Sequence, residues 1–183
     1  MFSKTALTIP LALSLALCAA VVVARPSAAL AQSSTTSQTA SAADTTFLQT
    51  AGRDGQAEVA LARLAQRKTS NDDVKSFAAH LQSDHEKANS QLTSLARAKK
   101  VTVPAMSAEQ GATRDRLDKL SGAEFDRAYI SEMIAAHQKA IDAFTNGASS
   151  ADADVKGFAS STLPTLKAHL SEAQKLQQEL GAS

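Results

Sequence analysis

FAAHLQSDHEKANSQLTSL, residues 77–95, reads as one amphipathic helix. Phe77, Leu81, Ala88, Leu92 and Leu95 recur at steps of three, four and seven, so they share a face. At about 100° per residue, His85 falls inside that apolar stripe, Asp84 at its flank and His80 further round, near the boundary. A titratable pair therefore points toward whatever this helix packs against.

Composition agrees with a helical domain. Hydrophobic residues make up 44% of the 183-residue chain, but Ala supplies much of that share, Trp is absent and Tyr occurs once. Small side chains favour closely approaching helices over a bulky sheet core. Gly and Pro are scarce, and no window alternates apolar and β-branched residues over strand length. The expected class is all-α, with one core.

Upstream of residue 77, a first helix is expected from an N-cap at Asp44 or Thr45 to about Lys68, with Phe47, Leu48, Ala51, Val59, Ala62 and Ala65 along one side. Leu61 extends that stripe and Glu58 falls in its middle. Thr69-Ser70-Asn71-Asp72 is too short a turn for anything but antiparallel neighbours, and the second helix continues to about Lys99. Downstream, Val101-Thr102-Val103-Pro104 is extended because the residue before Pro leaves the helical region. A short helix over Ser107–Leu120, anchored by Leu117 and Leu120, reads as a surface connector. The whole Lys100–Ser121 connection is long enough either to return beside the second helix or to cross the bundle end to end.

The third long helix is expected over about Gly122–Asn146. Its stripe is Phe125, Tyr129, Met133, Ala136, Ala140 and Phe144; His137 lies within it, Glu132 on its edge, and Tyr129 should pack in the core with its hydroxyl bonded. The fourth spans about Ala153–Leu180, carries His169 among its leucines, and should kink or restart at Pro164, which removes a backbone donor.

Residues 1–31 carry Lys4, an apolar run Ala6–Ala24 and an Ala29-Leu30-Ala31 end, the pattern of a secretory signal cleaved before Gln32. An uncleaved anchor and a lipoprotein at Cys18 are the alternatives; Pro10 and the cleavage pattern oppose the first, Leu17 the second. Export to the periplasm is expected, with no stable membrane span after cleavage. Residues 32–43, rich in Ser, Thr and Ala, form a flexible leader, and the bundle occupies 44–181. Removing Lys4 and Arg25 from the 19 basic residues leaves 17 against 18 acidic ones, net −1. That balance excludes a nucleic-acid footprint. A protein partner or a homo-oligomer remains open from sequence.

Each long helix thus carries one titratable residue on its apolar side: Glu58, His85, His137 and His169. Four-helix bundles build metal sites from such inward carboxylates and imidazoles. By ligand type the set suits zinc, copper, iron or nickel, with Asp84 orienting an imidazole and Glu132 and Glu172 as weaker candidates. Glu58 and His85 should lie level across their turn, whereas His137 and His169 are offset by roughly one turn at 1.5 Å per residue. No Glu-x-x-His spacing occurs, which opposes di-iron chemistry, and nothing supports nucleophilic hydrolysis or nucleotide binding. The expected function is a non-enzymatic metal-binding or pH-responsive bundle; the alternative is a structural or interaction module of the cell envelope with satisfied core histidines.

The segments FLQTAGRDGQAEVALARLAQRKTSNDDVKSFAAHLQSDHEKAN, GAEFDRAYISEMIAAHQKAI and FASSTLPTLKAHLSEAQKL together resemble the domain of unknown function 4142 family, exported bacterial proteins of the ferritin-like superfamily. The resemblance covers about Thr46–Lys175. Asp84-His85 followed by Lys87-Ala88-Asn89, the block Phe125–Tyr129, and Leu163-Pro164 ahead of His169 carry it. It implies a ferritin-like four-helix bundle and an exported location, to which the reading of Ser107–Leu120 adds a short extra helix between the second and third long helices. It implies no settled activity.

Overall fold

The computed structural model describes residues 39–182, so the expected signal at 1–31 and most of the 32–43 leader lie outside the described residues. Five helices follow in order: α1 (Ala42–Lys68), α2 (Asp72–Ala98), α3 (Ala108–Asp118), α4 (Gly122–Gly147) and α5 (Ala153–Ala182). No strand occurs among the described residues. None of the described helices is long and apolar enough to cross a membrane.

Helix starts follow local chemistry. Ser41 caps α1 by accepting from the Asp44 amide at 3.1 Å, so the helix begins two residues before the expected cap. Asp44 is instead buried and accepts from the hydroxyls of Ser41 and Ser150. Asn71 caps α2 through the amides of Asp73 and Val74. Ser107 and Gln110 form a reciprocal capping box at the start of α3.

The α1/α2 and α4/α5 hairpins pack α1 on α4 and α2 on α5. Phe47, near the start of α1, meets Phe144, near the end of α4, with ring centroids 5.1 Å apart. At the opposite end Lys68 lies over the Phe125 ring. Helices α1 and α4 are therefore antiparallel, and the connection between α2 and α4 must cross the bundle end to end.

Contacts along α1 trace that crossing. The Gln49 side chain donates to the Thr102 carbonyl, Gln56 to the Pro104 carbonyl, and Gln110 to Asp54. Lys68 then holds the Asp118 carbonyl and carboxylate. The crossing completes the ferritin-like topology that sequence left open. Close approach is permitted by Gly52, where a Cβ would stand 2.6 Å from Val103 Cγ1.

The core divides into two apolar clusters. One contains Leu61, Leu64, Val74, Phe77, Leu81, Phe125, Tyr129, Met133, Ala173 and Leu176. The other contains Phe47, Leu48, Leu92, Phe144, Val155, Ala159 and Leu166. On every long helix the titratable residue falls between them in sequence: Glu58, His85, His137 and His169 form one buried layer across the middle of the bundle.

Helix α5 is continuous through Pro164, so of the expected kink or restart the restart does not occur. One expectation is corrected. Tyr129 stacks on Phe125 as expected, with centroids 6.0 Å apart, but its hydroxyl finds no hydrogen-bond partner among the described residues. The ring is fully buried beside Phe77 and Phe125, so the hydroxyl is shut off from water as well, and the Glu58 carboxylate bears on it without bonding it.

Candidate metal centre

Periodicity places the four central side chains inward, and helix pairing brings them level. Glu58 Oε2 accepts from His85 Nδ1 at 2.9 Å, and Glu58 Oε1 lies 3.7 Å from His137 Nδ1. His137 Nδ1 is also 2.9 Å from the Met133 carbonyl, one turn earlier on α4. His169 Nε2 lies 3.0 Å from Asp84 Oδ2 on α2. The turn of offset anticipated between His137 and His169 does not separate them, for His137 Nε2 is 3.3 Å from His169 Nδ1.

The three imidazole centroids form a nearly equilateral triangle with sides of 5.5, 5.5 and 5.3 Å. One ring nitrogen from each histidine falls within 4.8 Å of the other two. Hydrogen bonding identifies which nitrogens these are. The outer nitrogen of each ring faces an acceptor: Glu58 for His85, the Met133 carbonyl for His137, Asp84 for His169. Those nitrogens carry the ring protons, which leaves His85 Nε2, His137 Nε2 and His169 Nδ1 as inward lone pairs in the neutral rings. His85 Nε2 is buried with no hydrogen-bond partner among the described residues.

Charge in the layer is set by competition between burial and pairing. Burial alone would raise the Glu58 carboxyl, but its bond to His85 and the fields of His85, His137 and His169 hold it down to about 2. Burial opposes charge on His85, yet the Glu58 and Asp84 carboxylates outweigh it and push its pKa upward. His137 is lowered, chiefly by burial with His85 adding to it. His169 is lowered to about 4 by burial and by its two neighbouring imidazoles, against the pull of Asp84. Near neutrality Glu58 is therefore ionised while His137 and His169 are neutral and able to donate lone pairs.

The other sequence candidates lie elsewhere. Glu132 pairs with Arg116 at 3.1 Å, and Glu172 faces the exposed His80 at 4.0 Å. The Met133 carbonyl was missed by sequence reading, although it is the i−4 carbonyl of His137 and its position could have signalled it. Asp84 was read as an orienting group without its partner, since His169 is 85 residues away.

Fold and layer together define a ferritin-like helical bundle with three histidines, one from each of α2, α4 and α5, gathered at its centre. Residues 29–176 match the family described as Domain of unknown function (DUF4142), and the chain belongs to that family. No curated protein matches it.

Among solved structures it is similar to a DUF305 fragment from Deinococcus radiodurans, with TM-score 0.68 and 17% identity over 79% of this chain and 99% of that one. It is also similar to CopM in its Cu(I)-bound form, with TM-score 0.64 and 22% identity over 74% and 96% of the two chains. A DUF305 protein from Streptomyces coelicolor considered to be secreted gives TM-score 0.65 and 15% identity over 76% and 94%. At these identities the likeness is one of fold.

Proposed function

We propose that this chain is an exported bundle that binds one transition-metal ion through His85 Nε2, His137 Nε2 and His169 Nδ1. The observation that carries this is the convergence of three buried ring nitrogens whose outer partners turn the lone pairs inward. Glu58 and Asp84 act through the rings, fixing tautomer and orientation and raising ligand basicity. The ionised Glu58 also supplies one negative charge beside the cation.

Imidazole donors suit copper, zinc, nickel and iron, and copper(II) binds most tightly to a given nitrogen site among the common divalent ions. The copper-bound state of CopM, whose fold this chain shares, supports testing copper first. The secretory pattern of residues 1–31 supports a periplasmic site, which would sequester or hand on the ion.

Elemental analysis of protein purified without tag or chelator tests the reading, with His85→Ala alongside. About one equivalent of metal, lost in the variant, is the expected result. No metal in either protein, and no uptake when copper, zinc, nickel or iron is offered, would sink it.

A further inference from the structure

The three histidines are buried, so an ion needs a way in. A cavity of about 380 Å³ supplies one, far larger than the ~30 Å³ that one water occupies in the liquid. Glu109 on α3 and Ala135 and Lys139 on α4, all exposed, border it at the surface, while the buried Glu58 and His85 border it inside. Of the three histidines His85 lines it, and His137 and His169 do not. Arg53, Asp54 and Glu132 share its wall with apolar side chains, so the passage can hold water around a cation. The opposite flank, where α2 meets α5, presents no lone pair. There Asp84 covers His169 Nε2 at 3.0 Å, and an ion arriving on that side meets the N–H edge of the ring.

Helix α3 contributes Ser107, Glu109, Gln110 and Thr113 to the outer end of this cavity, all from its N-terminal part. Its one buried side chain is Leu117, near the other end, where Arg116 also bonds Glu132 at 3.1 Å. Residues 108–113 bury no side chain, and Gln110 Nε2 ties them to α1 by donating to Asp54 Oδ1 at 2.7 Å. One half of α3 is anchored in the core and the other is latched by a polar contact, the kind of segment that opens at low cost. Resting on the three-histidine reading, we propose that the ion enters and leaves through this cavity and meets His85 first, with residues 108–113 as a cover that Gln110 latches to Asp54.

A change in the route alone moves uptake and release by the same factor and leaves Kd where it was. The test follows Cu(II) uptake by the metal-free full chain in stopped-flow absorbance and its release to excess chelator, with Kd measured at equilibrium. Thr113→Trp, which fills the outer end of the cavity, should slow both rates about ten-fold or more. Gln110→Glu keeps the acceptor for the Ser107 amide but sets a carboxylate against Asp54, and should speed both about three-fold or more. His80→Trp adds an indole on the α2/α5 flank, where His80 faces Glu172, and should change neither. Unchanged rates in Gln110→Glu, a gain in its uptake without one in its release, or slowing by His80→Trp would each overturn the route and leave the metal centre standing. So would a Thr113→Trp protein with the parent's helical circular dichroism and the parent's rates; if that variant does not fold, the other two decide. A parent chain that takes up no copper, zinc, nickel or iron would be seen first, and would remove both.

Discussion

His137 Nε2 stands 3.3 Å from His169 Nδ1, and in the neutral rings neither nitrogen carries a hydrogen. The His137 proton is committed to the Met133 carbonyl and the His169 proton to Asp84. Two lone pairs facing one another in a buried layer repel unless a cation or a proton lies between them. Protonation is opposed at both rings by burial.

The Asp84 carboxylate should therefore matter to affinity without touching the ion. Asp84 is 48% exposed at its side chain, so Asp84→Ala should leave the fold intact. Loss of the carboxylate frees the His169 ring to turn and lowers its basicity, and metal affinity should fall by about 10-fold or more. Competition titration against a chelator of known affinity measures this. An unchanged Kd would show that Asp84 does not hold the imidazole in the loaded protein.

Stability of the metal-free protein should depend on acid in a definite direction. His169 takes up its proton near pH 4 when folded and near its ordinary 6.5 when unfolded. Between those values the unfolded chain binds more protons, so stability falls as pH falls, and His137 shifts the same way. His85 is raised, so its contribution is complete below 6.5 and lost only as pH rises above it. Glu58, depressed from 4.5 to about 2, adds its own loss only below pH 4.5. Urea unfolding should show a decline on the order of 2 kcal/mol between pH 6.5 and 4. His169→Gln should lessen it, leaving the part that His137 contributes; the same slope in that variant would remove His169 as its cause.

The end of α2 offers a test independent of metal. Lys100 has φ 60°, with its amide bonded to the Arg97 carbonyl and the Val101 amide to the Ala96 carbonyl. This is a Schellman motif with lysine at the left-handed position that glycine usually fills. The left-handed conformation costs a non-glycine residue about 1–2 kcal/mol. Lys100→Gly should raise the free energy of unfolding by about 1 kcal/mol after the added unfolded-state entropy, and the thermal midpoint by about 2–4 °C. A fall in the midpoint would mean that the Lys100 side chain stabilises the turn by more than its backbone costs.

Much of this architecture was legible because burial follows helical period. Phe77, Leu81 and Leu92 recur on one face, and the structure buries all of them. The same periodicity marked Glu58, His85, His137 and His169 as inward. Period gives a face and says little about height or ring orientation, so the contact of His137 with His169 and the turning of each lone pair inward depended on tertiary pairing. The direction of the Lys100–Ser121 crossing was hidden for a related reason: it is fixed by Gln49, Gln56 and Asp54 on α1, none of which lies in an apolar pattern. The unpartnered Tyr129 hydroxyl was missed because a sequence shows that a ring is buried before it shows what surrounds its polar tip.

Gly52 should be required by the crossing rather than by α1 itself. Replacing glycine by alanine within a helix usually stabilises it by about 1 kcal/mol. Here the new Cβ would stand 2.6 Å from Val103 Cγ1 and 2.8 Å from Leu92 Cδ2. Val103 is stiff at χ1 and has little freedom to withdraw. Gly52→Ala should therefore lower stability by about 1–3 kcal/mol, the usual range for overpacking. The displaced segment would also strain the bonds from Gln49 to Thr102 and from Gln56 to Pro104, each 3.2 Å long. Faster amide hydrogen exchange over residues 101–107 would report that loosening. Val103→Ala removes the two Val103 methyl groups and leaves only the Leu92 contact, so in the double variant the combined loss should be smaller than the sum of the single losses. Strict additivity, or a stabilised Gly52→Ala protein, would show that the glycine does not make room for the chain passing over it.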